Sequence, residues 1–183
     1  ILKALHCLYP GRDEVLIPAF TCYSVPSAIV RAGLNVRLCD VDPDTLDFDF
    51  EHLEKCLHEN NKTLAVISTH LFGLPSDIEK LKALIAVSTL QPATYNLQPI
   101  PVIEDAAQAM GGVDKGSFQG TQGDVGFFSL GRGKAFSTVE GGIIMTDNDS
   151  TAKSIETELQ KLPPQKTAHK LKLRAYALTL SYL

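Results

Sequence analysis

Residues 100–108 read Ile-Pro-Val-Ile-Glu-Asp-Ala-Ala-Gln, a short apolar run that ends in two acids and continues into small residues. A second run, Val-Gly-Phe-Phe-Ser-Leu at 125–130, leads into Gly-Arg-Gly-Lys at 131–134. Short apolar runs bounded by acids and glycines are typical of strands that are covered on both faces of a parallel sheet. These two stretches therefore predict an α/β fold.

The same pattern recurs between residues 14 and 147, where apolar runs alternate with helical patterns. This alternation is typical of a layered structure in which helices cover both faces of a mostly parallel sheet. The predicted strands are Glu14–Phe20, Asn35–Val41, Thr63–His70, Ile100–Glu104, Val125–Leu130 and Gly142–Thr146.

Local signals predict where several of the intervening helices begin and end. Asp49 is expected to cap a helix whose apolar face carries Phe50, Leu53 and Leu57. Ser76 is expected to cap a helix whose apolar residues are Ile78, Leu81, Leu84 and Ile85. Gly33 is expected to end the helix after the first strand, because glycine tolerates the left-handed conformation. Residues 86–99 show no clear period and contain two prolines, so they are predicted to form a loop.

The composition places the chain among globular proteins and excludes some partners. Its 183 residues are 44% hydrophobic with a net charge of -4, which predicts one substantial core and no general attraction for nucleic acid. The four cysteines include no Cys-x-x-Cys pair, so neither a metal site nor a disulfide framework is expected. A reducing cytoplasm is the predicted compartment.

The two ends of the chain differ from its middle. Residues 1–8 are apolar but include Lys3 and His6, and they resemble the end of an amphipathic helix more than a signal peptide. With no initiating methionine, the chain is expected to be a fragment. Residues 166–183 carry four basic residues and no acid in their first half, namely Lys166, Lys170, Lys172 and Arg174, and end almost without charge, which predicts a helix packed on this or another domain. The alternative is an interfacial helix on anionic lipid.

Three clusters follow predicted strands, at the edge where open α/β sheets bind ligands. They are Ile103–Gln108, Phe127–Lys134 and Glu140–Gly142. Ser129 and the loop amides of the second cluster can bind a phosphate. A nucleotide P-loop is excluded, because Phe128 occupies its first glycine position and Ala135 follows the lysine. A Rossmann domain is disfavoured, because no G-x-G-x-x-G follows either of the first two strands.

The ordered motifs between residues 11 and 146 resemble those of the DegT/DnrJ/EryC1/StrS aminotransferases, fold-type I enzymes that use pyridoxal phosphate and act largely on nucleotide-linked keto sugars. The matches are Gly11–Thr21 (GRDEVLIPAFT); Gly33 with Asp40-Val41-Asp42 and Thr45; His70–Gly73 with Pro75 and Asp77; Val102–Gly111; Gly123-Asp124; Phe128-Ser129; Lys134; and Glu140-Gly141-Gly142. One such motif is a modest signal, but the ordered set is a strong one.

The resemblance implies a role for each of five residues. Lys134 matches the lysine that carries the cofactor as a Schiff base and then moves a proton, and Asp105 matches the acid beside the pyridinium nitrogen. Gln108 matches the residue beside the phenolic oxygen, and Ser129 matches a phosphate ligand. Cys22 stands where the family often has an aromatic residue that stacks on the ring. Lysine in place of the histidine of a related dehydratase branch implies transamination.

The resemblance also implies how the chain is organised and what it acts on. Residues 1–162 are expected to be the cofactor-binding large domain without its N-terminal phosphate loop, and residues 163–183 to lead to a C-terminal small domain. A homodimer with a shared active site, glutamate as amino donor and a keto-sugar acceptor used in polysaccharide biosynthesis are expected. The alternative is a non-catalytic binding or regulatory protein with the same fold, held at a membrane by its tail.

Overall fold

The computed structural model describes residues 1–59, 62–89, 99–164 and 167–180. Within these residues the strands are β1 (Glu14–Pro18), β2 (Asn35–Cys39), β3 (Thr63–Thr69), β4 (Val102–Asp105), β5 (Val113–Asp114), β6 (Ser117–Phe118), β7 (Val125–Ser129) and β8 (Gly142–Met145). The helices are α1 (Leu2–Leu8), α2 (Ser24–Arg31), α3 (Phe50–Glu59), α4 (Ile78–Thr89), α5 (Asp149–Gln160) and α6 (Thr167–Leu180).

The central sheet has the spatial order β2-β1-β3-β4-β7-β8. All its pairings are parallel except that of β7 with β8, which is antiparallel. The six predicted strands are therefore confirmed, each beginning or ending within about two residues of its predicted bounds. The β5–β6 hairpin was not predicted. Its turn residues Lys115 and Gly116 both have positive φ, as the two central residues of a type I′ turn require.

Helices cover both faces of the sheet, as the sequence predicts. Val15 and Ile17 of β1 pack in one core with residues of α1, α2 and α5, whereas Leu16 packs in a second core with residues of α3 and α4. Alternate side chains of a strand point to opposite faces, so the two cores lie on opposite sides of β1. The three-layer α/β architecture is confirmed.

Two of the three predicted helix boundaries are confirmed. The Oδ1 atom of Asp49 accepts hydrogen bonds from the backbone N–H groups of Glu51 and His52, at 2.9 and 3.1 Å. Gly33 has a φ of 82° and follows α2 directly after its C-cap residue. Ser76 was the wrong cap for α4. Its hydroxyl donates to the backbone oxygen of Thr69 at 2.9 Å, and Asp77 accepts the N–H of Lys80 instead.

The predicted loop at residues 86–99 is wrong at its start, because α4 continues to Thr89. Ser88 is buried in this added turn, and its hydroxyl donates to the backbone oxygen of Leu84 at 2.9 Å. Residues 90–98 lie outside the described residues, as do residues 165, 166 and 181–183 of the tail. None of the helices that the structure describes is long and apolar enough to cross a membrane.

Candidate active site

The site lies where the strand order of the sheet reverses. From β1 the chain moves to β2 on one side, and from β3 it moves to β4 on the other. The connections after β1 and β3 therefore diverge and leave a crevice at the carboxyl ends of these strands, where α/β proteins bind ligands. The hydroxyls of Thr21 and Thr69 lie 3.2 Å apart across this point.

Asp105 ends β4 next to this crevice and is 5% exposed. Its Oδ1 atom accepts a hydrogen bond from the backbone N–H of Ala107 at 3.0 Å. Burial raises the pKa of Asp105 above its ordinary value, although the Ala107 hydrogen bond and the charge of Lys134 act in the opposite direction. A buried carboxylate whose desolvation is only partly offset favours a cationic neighbour, because a nearby positive charge stabilises its ionised form.

Lys134 and Cys22 lie close enough to Asp105 for electrostatic interaction, although they are far from it in the sequence. The charges of Asp105 and Lys134 both act on the Cys22 thiol, the first raising its pKa and the second lowering it. The thiol has a lowered pKa mainly because the Ser24 hydroxyl donates a hydrogen bond to its sulfur at 3.1 Å. Three of the five predicted site residues therefore lie within electrostatic range of one another: Cys22 from the loop after β1, Asp105 from β4 and Lys134 from the loop after β7.

The other two predicted residues lie on the same edge but are held by different partners. Gln108 follows Asp105 in an exposed turn, where its side-chain oxygen accepts the backbone N–H of Phe72 at 2.7 Å. Ser129 ends β7, and its hydroxyl accepts the N–H of Gly131 at 3.2 Å. Within the described residues, no hydrogen bond joins Gln108 or Ser129 to Asp105 or Lys134.

Residues 130–141, which we call the lysine loop, connect β7 to β8. Its ends are closed by the Leu130 N–H, which donates to Gly141, and by the Thr138 N–H, which donates to Leu130, both at 3.0 Å. The Lys134 N–H donates to the backbone oxygen of Gly131 at 3.3 Å, and Gly133 has a φ of 77°. The loop therefore turns tightly immediately before the lysine, as the glycines in the sequence suggest.

A buried pair behind the site was not assigned a role from the sequence. The Nε2 atom of His70 lies 2.9 Å from Oε2 of Glu104, and both side chains are fully buried. The backbone N–H of Ser76 donates to Nδ1 of His70 at 3.1 Å. Nε2 therefore carries the ring proton and donates a hydrogen bond to Glu104. The sequence signals for this pair were the acid at the end of the apolar run of β4 and the place of His70 in the matched motifs.

Glu104 also binds the turn that precedes β7. It accepts hydrogen bonds from the backbone N–H groups of Gly120, Gln122 and Gly123. Burial alone would raise its pKa, but the donors at His70, Gly123 and Gly120 together lower the pKa of Glu104 below its ordinary value. At Gly126 an added Cβ would collide with the backbone oxygen of Gly120, so this turn packs tightly on β7.

Comparisons with known proteins bear on this geometry. The model of the DegT/DnrJ/EryC1/StrS aminotransferase family matches residues 1–172. The chain belongs to this family. The family resemblance predicted from the sequence is therefore confirmed, and with it the fold of the large domain.

Several relatives in the family are similar to this chain. GDP-perosamine synthase of Escherichia coli O157:H7 is 34% identical over 139 residues, which cover 76% of this chain and 35% of that protein. Sugar aminotransferase CalS13 from Micromonospora echinospora has a TM-score of 0.73 and 32% identity, covering 84% of this chain and 40% of its own. The PLP form of the Streptococcus pneumoniae sugar aminotransferase Spr1654 has a TM-score of 0.71 and 27% identity, covering 87% and 43%. The chain thus spans less than half the length of these relatives.

Proposed function

We propose that this chain is the cofactor-binding part of a pyridoxal-phosphate-dependent aminotransferase that transfers an amino group from glutamate to a nucleotide-linked keto sugar. The observation that carries the proposal is that Asp105, Lys134 and Cys22 lie within electrostatic range of one another at the carboxyl edge of the sheet. Membership of the family matches these three residues to positions at the cofactor. The relative solved in a PLP form supports the pyridoxal phosphate expected from the sequence.

Asp105 fits a ring nitrogen that must stay protonated. Its carboxylate is buried, and its raised pKa reflects desolvation that the protein's own donors only partly offset. A protonated nitrogen beside it would lower that pKa and would itself be held in its cationic form. When bound, pyridoxal phosphate supplies a ring that accepts the electron pair released at the substrate carbon.

Lys134 would hold the cofactor and then act as a base. An amine that is freed next to the substrate carbon can take up and return one proton, which is the step that moves hydrogen during amino transfer. Ser129 would bind the phosphate together with amides of the lysine loop, and Gln108 would lie beside the phenolic oxygen. Cys22 would face the ring without supplying an aromatic surface.

The names of the relatives support the substrate class. One is a GDP-perosamine synthase, and another, DesI, was solved in the presence of its TDP-sugar product, with a TM-score of 0.72 and 28% identity over 85% of this chain. A nucleotide-linked keto sugar is therefore the acceptor we propose, and glutamate is the donor expected of the reaction class.

The remaining expectations belong to the same proposal. Residues 1–162 would form the large domain, and residues 163–183 would lead to a small domain. A homodimer would complete the active site, and the enzyme would work in the cytoplasm. All four cysteines are free, which agrees with a reducing compartment.

Borohydride trapping tests the role of Lys134. In the complete protein with added pyridoxal phosphate, reduction should attach the cofactor to Lys134, as located by peptide mass spectrometry. Lys134→Ala should lose this adduct, and the matched control Lys153→Ala, which changes an exposed lysine of α5, should keep it. An adduct that survives Lys134→Ala would refute the assignment.

Glutamate then distinguishes an enzyme from a non-catalytic protein of the same fold. Without reduction, glutamate should convert the bound cofactor to its amine form, with loss of the absorbance of the lysine-linked form and release of 2-oxoglutarate. A protein that forms the Lys134 adduct but leaves glutamate and other amino donors unreacted would be the non-catalytic alternative.

A further inference from the structure

Helix α6 contacts the lysine loop at two points. The guanidinium carbon of Arg132 lies 5.4 Å from the ring centroid of Tyr176, within the range of a cation–π interaction. The Nε2 atom of His169 lies 2.9 Å from Oε2 of Glu140. Arg132 precedes Lys134 in the loop and Glu140 follows it, so the two contacts lie on either side of the lysine.

The contacting residues lie on one face of α6. The contacting residues His169 and Tyr176 are seven residues apart with Leu173 between them, which places the three in a row along the helix. His169 and Leu173 are partly buried, whereas the basic residues Lys170 and Arg174 are exposed. A helix rises about 1.5 Å per residue, so His169 and Tyr176 are roughly 10 Å apart along its axis. One rigid helix can therefore hold two separate points of the loop.

The middle of the lysine loop needs such support, because most of the loop's own hydrogen bonds lie at its ends. Gly131 and Gly133 precede the lysine, and glycine has more backbone freedom to lose than any other residue. The amide hydrogen bonds of Leu130 and Thr138 close the ends of the loop, and Lys134 itself is held within the loop by one hydrogen bond to Gly131. Contacts from outside on both sides of Lys134 reduce the number of conformations open to its backbone.

We propose that α6 is a strap across the lysine loop, and that Tyr176 and His169 are positioning residues for Lys134. The strap acts on the chain itself, with or without a cofactor, and so goes beyond the proposed function. Only its consequence for cofactor attachment rests on that function. Neither residue is expected to touch the reacting atoms.

Hydrogen–deuterium exchange of the cofactor-free protein tests the strap directly. In Tyr176→Ala, amides of residues 130–141 should exchange about two- to five-fold faster than in the wild type, because the cation–π contact is lost. Tyr176→Phe keeps the ring and should exchange as the wild type does. Leu171→Ala, at a 59% exposed position on the opposite face of α6, is the matched control and should have no effect.

Variants on the loop side keep the test valid even if changes in α6 unfold that helix. Arg132→Met and Glu140→Gln leave the sequence of α6 intact and should each speed exchange in the loop. Combining Arg132→Met with Tyr176→Ala should add little to either change alone, because both remove the same contact. Wild-type exchange in Tyr176→Ala and in both loop variants would overturn the strap.

The rate of cofactor attachment provides the functional measurement. Borohydride trapping at increasing times should show attachment to Lys134 slowed several-fold in Tyr176→Ala and restored in Tyr176→Phe. Unchanged attachment together with faster loop exchange would refute the positioning of Lys134 but leave the strap. Absence of an adduct in the wild type would refute the proposed function, and loop exchange would still decide on the strap.

Discussion

Glu104 and Asp105 are neighbours at the end of β4, yet they meet opposite surroundings. Both are buried, and burial acts to raise the pKa of each. Glu104 is surrounded by donors, namely the His70 ring and three backbone N–H groups, and its pKa is lowered. Asp105 has the Ala107 N–H and its pKa is raised. The protein itself supplies four donors to the first carboxylate and one to the second, which we propose meets the ring nitrogen of the cofactor.

The largest expected effect is on the Asp105 side of the strand. Asp105→Asn keeps the shape of the side chain but removes the charge that would hold a cationic ring nitrogen, so amino transfer should fall by about 10³-fold. The free energy of unfolding should not decrease, because a buried charge with few donors is removed. Single-turnover kinetics and urea unfolding measure the two effects, with the exposed Asp147→Asn as control. Loss of stability without loss of turnover in Asp105→Asn would contradict the contrast drawn between Asp105 and Glu104.

The Glu104 side should respond in the opposite way. Glu104→Gln places an amide NH₂ among donors and leaves several of them without an acceptor, which should reduce the free energy of unfolding by about 3 kcal/mol. Urea unfolding measures this change, and Glu156→Gln, an exposed position on α5, is the matched control. A stability equal to that of the wild type would show that the buried pair does not stabilise this part of the sheet.

The pH dependence of stability should separate the two carboxylates more finely. Asp105 has a raised folded pKa, so its contribution to stability is lost as pH rises from the ordinary aspartate pKa of about 3.9 to the raised value. Glu104 has a lowered folded pKa, so its contribution is present above the ordinary glutamate pKa of about 4.3 and is lost as pH falls through the lowered value.

As pH rises from about 4 towards neutrality, Asp105→Asn should therefore gain stability relative to the wild type. Glu104→Gln should lose relative stability as pH rises through the lowered folded pKa of Glu104. Urea midpoints at a series of pH values measure both trends. Parallel trends for the two variants would contradict the opposite pKa shifts.

The smallest expected effect is that of adding an aromatic ring at Cys22, near Asp105. Cys22→Phe would place an aromatic face where the family often has one, and should tighten pyridoxal phosphate binding by about 1 kcal/mol, or roughly five-fold. Cys22→Ser, which adds no ring, is the control and should not tighten binding. Equilibrium titration of the cofactor in a Lys134→Ala background isolates the non-covalent contact. Equal affinities would place Cys22 away from the ring.

The parts of the fold that depend on neighbouring residues could be predicted. Strands β1, β3, β4 and β7 of the central sheet are apolar runs whose side chains are largely buried, and this requirement is visible in each run alone. The edge strands β2 and β8 are more exposed, and their apolar residues predicted them all the same. Asp49 and Gly33 act on backbone groups within a few residues of themselves, so the helix boundaries they mark were also predictable. The Ser76 cap was wrong because its hydroxyl is drawn to Thr69, whose position the local sequence does not show.

The candidate site could likewise be predicted only where its signals are local. The motifs around Asp105, Gln108, Ser129 and Lys134 are local and were recognised by their order. The surroundings of Glu104 were not, since its donors come from His70 and from the turn at 120–123. The contact between α6 and the lysine loop joins residues about thirty to forty apart and leaves no local pattern.

The sequence by itself determined the family, the six strands of the central sheet, and the residues expected at the cofactor. Each of these depends on residue type and short spacing. Only the tertiary structure decided that Cys22, Asp105 and Lys134 lie within electrostatic range of one another, that Glu104 has four protein donors where Asp105 has one, and that α6 lies against the lysine loop. The physical reason is that desolvation and charge depend on neighbours in space, which chain folding brings together from distant positions.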